Sequence, residues 1–221
     1  MKENRLKTAF ARGFIRLRIS ADLLTVAGLL LAGYCGWLIV QGSFFPAGIV
    51  LLLSGFLDMM DGAVARAAGT QSRFGGILDS SLDRYGDAAV LGCAAFYYSR
   101  YNEPLSVVAL VALTGSFAIS YIRARAECEI DDCRVGFWER GERLVLIALA
   151  LLFDNLGAAL WLLAIGTQWT VFQRLAFAKR QTQAKASEEI PFYLRASPRN
   201  SWPYFLKISA LILILFFLRF H

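Results

Sequence analysis

The chain has 221 residues, 57% of them hydrophobic and 18% charged, with a mean hydropathy of +0.50 and a formal net charge of +6. Soluble domains carry about 25% charged and about 45–50% apolar residues, so this composition excludes an ordinary cytoplasmic enzyme and requires lipid around the chain. The length allows one domain with a short appendage.

At the N-terminus, Lys2, Arg5, Lys7, Arg12, Arg16 and Arg18 occupy the stretch where a secretory signal would be apolar, so this segment is expected to be retained. Leu6, Phe10, Phe14 and Leu17 recur at helical spacing among those charges. Residues 1–20 are therefore read as an amphipathic helix lying among anionic headgroups.

Crossing about 30 Å of hydrocarbon takes about 20 mostly apolar residues in a helix. Leu23 to Val40, Phe44 to Met60, Gly75 to Tyr98 and Leu105 to Ile122 meet that demand. Leu144 to Phe177 is too long for one span, and Asp154, Asn155 and Gly157 mark a turn that makes it a hairpin. A linker with Pro191, Pro198 and Pro203 then leads to a last apolar stretch, Trp202 to Phe220, a candidate seventh span that contains Lys207. The expectation is an all-α integral membrane protein: an interfacial arm over 1–20, six transmembrane helices over 21–185, and a linker with a C-terminal apolar segment over 186–221.

Basic residues accumulate in cytoplasmic loops. With the N-terminus inside, the Arg66 to Arg84 region, the Arg123 to Arg143 loop and the Arg174 to Arg199 stretch fall on one side, while the opposite loops keep only Arg100 and, if the last segment spans, Arg219. This predicts a cytoplasmic-membrane protein whose polar chemistry faces the cytoplasm. The positive charge is thereby assigned to the membrane, and no nucleic-acid partner is expected.

The only histidine is His221, so acid–base chemistry falls to other groups. Cys35 and Cys93 sit in apolar runs, and Cys128 with Cys133 lacks the spacing and the histidines of a zinc site; all four read as reduced and structural.

Chemistry concentrates in Asp58 to Asp83, DMMDGAVARAAGTQSRFGGILDSSLD. Asp58 and Asp61 share one helical face, as do Asp79 and Asp83, and a short polar loop joins the two helices, so all four carboxylates are expected to converge. Acids at membrane depth need compensation. Salt bridges to Arg66, Arg73 and Arg84 are one source; a hard cation held by oxygen ligands and substrate phosphates, Mg²⁺ first and Mn²⁺ second, is the other. Gly62, Gly69, Gly75 and Gly76 let backbone approach a ligand, and Arg66 is placed to meet a phosphate.

This segment resembles a known family. Asp58-x-x-Asp61-Gly62-x-x-Ala65-Arg66, eight residues, then Gly75-x-x-x-Asp79-x-x-x-Asp83 matches without a gap the signature of the CDP-alcohol phosphatidyltransferases. The resemblance spans Ile19 to Gln183 and implies a six-helix membrane enzyme, often a homodimer, that moves a phosphatidyl-type group from a CDP-linked lipid to an alcohol and releases CMP. It further implies that Asp58, Asp61, Asp79 and Asp83 ligate two Mg²⁺ or Mn²⁺ ions. Asp83 doubles as general base in that scheme, and Gly62, Ala65, Arg66 and Gly75 hold the nucleotide. No activated serine or cysteine stands in the segment, which fits direct transfer without a covalent intermediate.

Later cytoplasmic helix ends are dense in arginine: Arg123 and Arg125 in SYIRARAE, Arg140 and Arg143 in FWERGERL, Arg174 in TVFQRL. Arginine forks suit phosphate, which points to an acceptor that itself carries one. The first two stretches resemble the phosphatidylinositol phosphate and archaetidylinositol phosphate synthases, although position 123 is arginine where lysine is common, and Ala21-Asp22 replaces a usual Pro-Asn. By that resemblance Arg123, Arg143 and Arg174 clamp the phosphate of inositol phosphate. Glycerol 3-phosphate, the acceptor of phosphatidylglycerol phosphate synthesis, is the alternative within the class; a non-catalytic divalent-ion transporter is the alternative outside it.

Overall fold

The computed structural model describes residues 12–17, 19–130 and 132–183. The C-terminal apolar stretch, its proline linker and most of the N-terminal arm, with Leu6 and Phe10, lie outside them. Within the arm, residues 12–16 are helical; Phe14, Ile15 and Ile19 pack with Leu24, Met60 and Val64, while Leu17 is exposed.

Six helices follow among the described residues: α1 Ala21–Val40, α2 Phe44–Ala68, α3 Arg73–Tyr101, α4 Glu103–Ala126, α5 Arg140–Leu152 and α6 Leu156–Gln183. Three of the starts are set by side chains that satisfy otherwise unpaired amide donors. Leu23 N–H donates to Ser20 Oγ, Gly75 N–H to Ser72 Oγ and Leu105 N–H to Asn102 Oδ1, the last beside Pro104 in the first turn. Gly69 ends α2 in the left-handed region at φ 67°, which a glycine adopts without a Cβ penalty. The predicted break after Leu144 is also a turn, at Phe153–Asn155, with Asp154 at φ 53°.

The helices outrun the apolar stretches at their polar ends. α2 continues through Asp61, Gly62 and Arg66 instead of stopping near Met60, α3 begins at Arg73, and α4 reaches Ala126. Apolar content marks the part of a helix that lipid can cover, whereas backbone hydrogen bonding carries the helix on into water. The Asp61 to Arg73 segment is therefore mostly helix, and only Gly69–Ser72 forms the loop.

Around the bundle, α1 packs on α2 and α3, α3 on α4, α4 on α6, α6 on α5, and α5 on α2, closing a ring. Consecutive α2 and α3 do not pack along their length, because α1 lies against both. The core between them includes Cys35, Ile39, Leu91, Leu146 and Leu160, while Leu30, Trp37, Phe45, Val107 and Ile165 point outward as a membrane protein requires.

Among the described residues three helices, α1, α2 and α4, are long and apolar enough to cross a membrane. The others fall short of that measure for identifiable reasons. The first half of α3 carries Asp79, Asp83, Arg84 and Asp87. The 13 residues of α5 extend only about 20 Å, and α6 ends in Arg174, Lys179 and Arg180.

Candidate active site

α2 and α3 converge at their charged ends. Asp58 and Asp61 lie one helical turn apart on α2 and Asp79 lies on α3; a carboxylate oxygen from each comes within 4.8 Å of the other two. Asp61 is buried, and both its oxygens are fixed: Thr25 Oγ1 on α1 donates to Oδ2 at 2.7 Å, and the Gly62 N–H donates to Oδ1. Carboxylates this close repel strongly unless a cation lies between them. An all-oxygen set with no histidine or thiol fits a hard divalent ion.

Asp83 lies beside that trio, in direct contact with Asp58. Its Oδ1 lies 2.8 Å from Arg140 Nη1, which also reaches Asp58 Oδ1 at 2.6 Å, so the four carboxylates do gather, three around one point and the fourth joined to them through Asp58 and Arg140. Asp83 Oδ2 has Arg84 Nη1 3.9 Å away. Arg140 is the residue that sequence reasoning missed. Arg140 and Arg143 repeat at helical spacing, as do Asp83 and Asp87, but only the structure shows that the two pairs face each other.

Beside the carboxylates opens a cleft of about 480 Å³ lined by Gly62, Ala65, Arg66, Gly75, Asp61 and Asp79, with Ile15 and Ile19 of the N-terminal segment at its edge. All four residues expected to hold a nucleotide therefore share one cavity with two of the metal-ligand candidates. Its volume falls within the range of about 300–1,000 Å³ usual for small-molecule sites. Arg66 folds back toward Gly62, where a Cβ would stand 3.4 Å from its Nη1, so a larger residue would crowd the guanidinium that faces the cleft.

The three arginines expected to clamp the acceptor do not form an open fork. Arg123 pairs with Glu127 at 2.8 Å. Arg143, 3% exposed, donates from Nη1 to Trp138 O at 3.1 Å and from Nη2 to Asp87 Oδ2 at 2.8 Å. Arg174, 2% exposed, donates from Nε to Val135 O at 3.0 Å and from Nη1 to Ile119 O at 2.7 Å. They nonetheless share one region, since Arg123 and Arg143 both act electrostatically on Arg174.

The family model for CDP-alcohol phosphatidyltransferase matches residues 18–178. The chain belongs to the CDP-alcohol phosphatidyltransferase family. It is an enzyme, a transferase of phospholipid synthesis, as expected, and the alternative of a non-catalytic transporter falls. It is 37% identical over 169 residues to an archaetidylinositol phosphate synthase of Pyrococcus horikoshii, covering 76% of this chain and 87% of that one. It is 35% identical over 202 residues to a phosphatidylinositol phosphate synthase of Corynebacterium glutamicum, covering 86% and 92%. Among solved structures it is similar to the Mycobacterium tuberculosis phosphatidylinositol phosphate synthase in complex with manganese and citrate, with TM-score 0.74, 31% identity and coverage of 84% and 94%. The same enzyme with CDP-DAG bound matches with TM-score 0.74 over 85% and 100%. A divalent metal accordingly belongs to this chemistry, and the trio of carboxylates is where the chain can hold one.

Proposed function

We propose that this protein transfers a phosphatidyl-type group from a CDP-linked lipid to a hydroxyl of inositol phosphate and releases CMP. One observation carries the reading: the cleft lined by Gly62, Ala65, Arg66 and Gly75 runs directly into Asp61 and Asp79. A diphosphate seated there meets carboxylates at one end and Arg66 at the other. The acceptor is supported by the arginines gathered around Arg174 and by relatives named archaetidylinositol phosphate synthase and phosphatidylinositol phosphate synthase.

In this mechanism the acceptor hydroxyl loses its proton to Asp83 Oδ2 as its oxygen attacks the lipid-side phosphorus, and the bond from that phosphorus to the CMP oxygen breaks. Arg140 fixes the other oxygen of Asp83, orienting the carboxylate toward the substrate. When bound, divalent cations held by Asp58, Asp61, Asp79 and Asp83 neutralise the diphosphate and the departing CMP. Gly62, Ala65 and Gly75 give the nucleotide close access to backbone, Arg66 pairs with its phosphates, and Arg123, Arg143 and Arg174 receive the acceptor phosphate after Arg123 releases Glu127.

The same reading assigns residues 21–185 to a six-helix catalytic domain in the cytoplasmic membrane, with residues 1–20 as an interfacial arm and the site opening to the cytoplasm. The chain would work as a homodimer. Support comes from the apolar exteriors of α1, α2 and α4 and from the grouping of basic residues at one end of the helices.

The test is CMP release from CDP-diacylglycerol and CDP-archaeol by the purified chain with inositol phosphate, glycerol 3-phosphate or free inositol. Turnover confined to inositol phosphate is the expected result. Turnover with glycerol 3-phosphate alone would replace the acceptor and keep the reaction.

A further inference from the structure

A line of alternating charges runs away from the carboxylate trio. Asp83 and Asp87 stand one turn apart on α3, Arg140 and Arg143 one turn apart on α5, so each helix sets two like charges on one face. The two rows pair across the gap. Arg140 Nη1 reaches Asp58 Oδ1 at 2.6 Å and Asp83 Oδ1 at 2.8 Å, Arg140 Nε lies 3.9 Å from Asp87 Oδ1, and Arg143 Nη2 donates to Asp87 Oδ2 at 2.8 Å. The series connects the proposed metal ligands to a proposed acceptor-phosphate group.

Its links are unequal. The Arg140 to Asp87 contact is too long for a hydrogen bond, and Arg140 Nε and Arg143 Nε are both buried with no hydrogen-bond partner among the described residues. Unmet buried donors favour a shift that brings an acceptor closer. The backbones of α3 and α5 barely approach one another, and Gly86, Asp87, Arg140 and Arg143 border a small cavity between them, which leaves the long side chains room to move.

We infer that this ladder couples the two ends of the site. When a cation draws Asp58 away from Arg140, Arg140 turns toward Asp87, Asp87 loosens its hold on Arg143 Nη2, and that donor becomes free for an acceptor phosphate. The inference rests on the roles proposed above for Asp58 and Arg143. Arg140 and Asp87 are positioning residues here, acting through Asp58, Asp83 and Arg143. Linkage is reciprocal, so phosphate at Arg143 tightens the cation by the same factor. Ion pairs that merely pinned α3 to α5 would leave the two affinities independent.

The experiment is calorimetric titration of the full chain in lipid nanodiscs with inositol phosphate and, separately, inorganic phosphate, each with and without Mn²⁺. In the wild type Mn²⁺ is expected to tighten both probes by about 5-fold or more. In Asp87→Asn the ratio should fall to one while Mn²⁺ alone binds nearly as before, and Arg140→Gln, which breaks the neighbouring link, should lose the coupling too; a cooperative thermal melt certifies each variant as folded. Coupling of wild-type size in either folded variant overturns the ladder, because it would then come from direct contact between cation and phosphate. Absence of coupling to inorganic phosphate in the wild type overturns it as well. Coupling with inorganic phosphate that the variants lose, without any binding of inositol phosphate, upholds the ladder and refutes the proposed acceptor.

Discussion

The hydroxyl of Thr25 on α1 donates to Asp61 Oδ2 on α2 at 2.7 Å, so one helix orients the carboxylate that another helix supplies. The longer contact of the same hydroxyl, 3.1 Å to Ala21 O within its own helix, is the weaker claim on its proton. A hydrogen bond to a charged group contributes about 1.5–3 kcal/mol. Thr25→Val keeps the shape and removes the donor, and kcat/KM is expected to fall by about 10–100-fold with weaker Mn²⁺ binding. Unchanged Mn²⁺ affinity in a titration of this variant would show that Asp61 does not depend on Thr25.

The carboxylate trio makes the reaction dependent on a divalent ion. Treatment with chelator is expected to stop CMP release, and Mg²⁺ or Mn²⁺ to restore it. Asp79→Asn removes one ligand of the trio and should lower kcat by about 100-fold or more, with partial recovery at high metal concentration. An assay indifferent to chelator would contradict the assignment of these residues.

Arg174 has a structural duty besides any contact with substrate. It ties two backbone carbonyls, Val135 O in the loop before α5 and Ile119 O in α4, to α6. Arg174→Met leaves both acceptors buried without that donor, and destabilisation of about 2–5 kcal/mol is expected. Thermal unfolding in detergent measures it; a melting temperature equal to wild type would mean that the loop is held by other contacts.

The loop between α4 and α5 offers two cysteines in opposite settings. Cys128 is exposed, whereas Cys133 is fully buried and burial pushes its thiol up, against the pull of Arg174. A raised thiol pKa means less thiolate at any given pH, so Cys133 should label slowly and gain rate only as pH rises past the ordinary thiol range. Membrane-impermeant maleimide is expected to modify Cys128 rapidly in inside-out vesicles and not in right-side-out ones, in a Cys93→Ser background. The reverse pattern would invert the proposed orientation.

Much of the site was legible before any coordinates. Spacing placed Asp58 with Asp61 on one face, and the glycine and arginine positions between the two helices did line a common cleft. Arg140 was not legible as a partner of Asp58 and Asp83, because it lies far along the chain on a helix that sequence could not orient toward α3. The expected acceptor arginines are the converse case. Their number and position were plain, but arginine near a helix end reads alike whether it faces a ligand, an acid or a carbonyl.

By itself the sequence determined the membrane setting, the helical class and the chemical kind of the site, since hydropathy, the 3.6-residue period and an ungapped run of acids and glycines are local properties that survive without a partner. Tertiary structure alone decided that α1 separates α2 from α3 along their length, that Asp83 meets the trio through Asp58 and Arg140, and that Arg143 and Arg174 also hold groups of the fold itself. Those outcomes depend on which helix faces close the ring. That choice is made by packing and by the pairing of buried charge, which no short stretch of sequence contains.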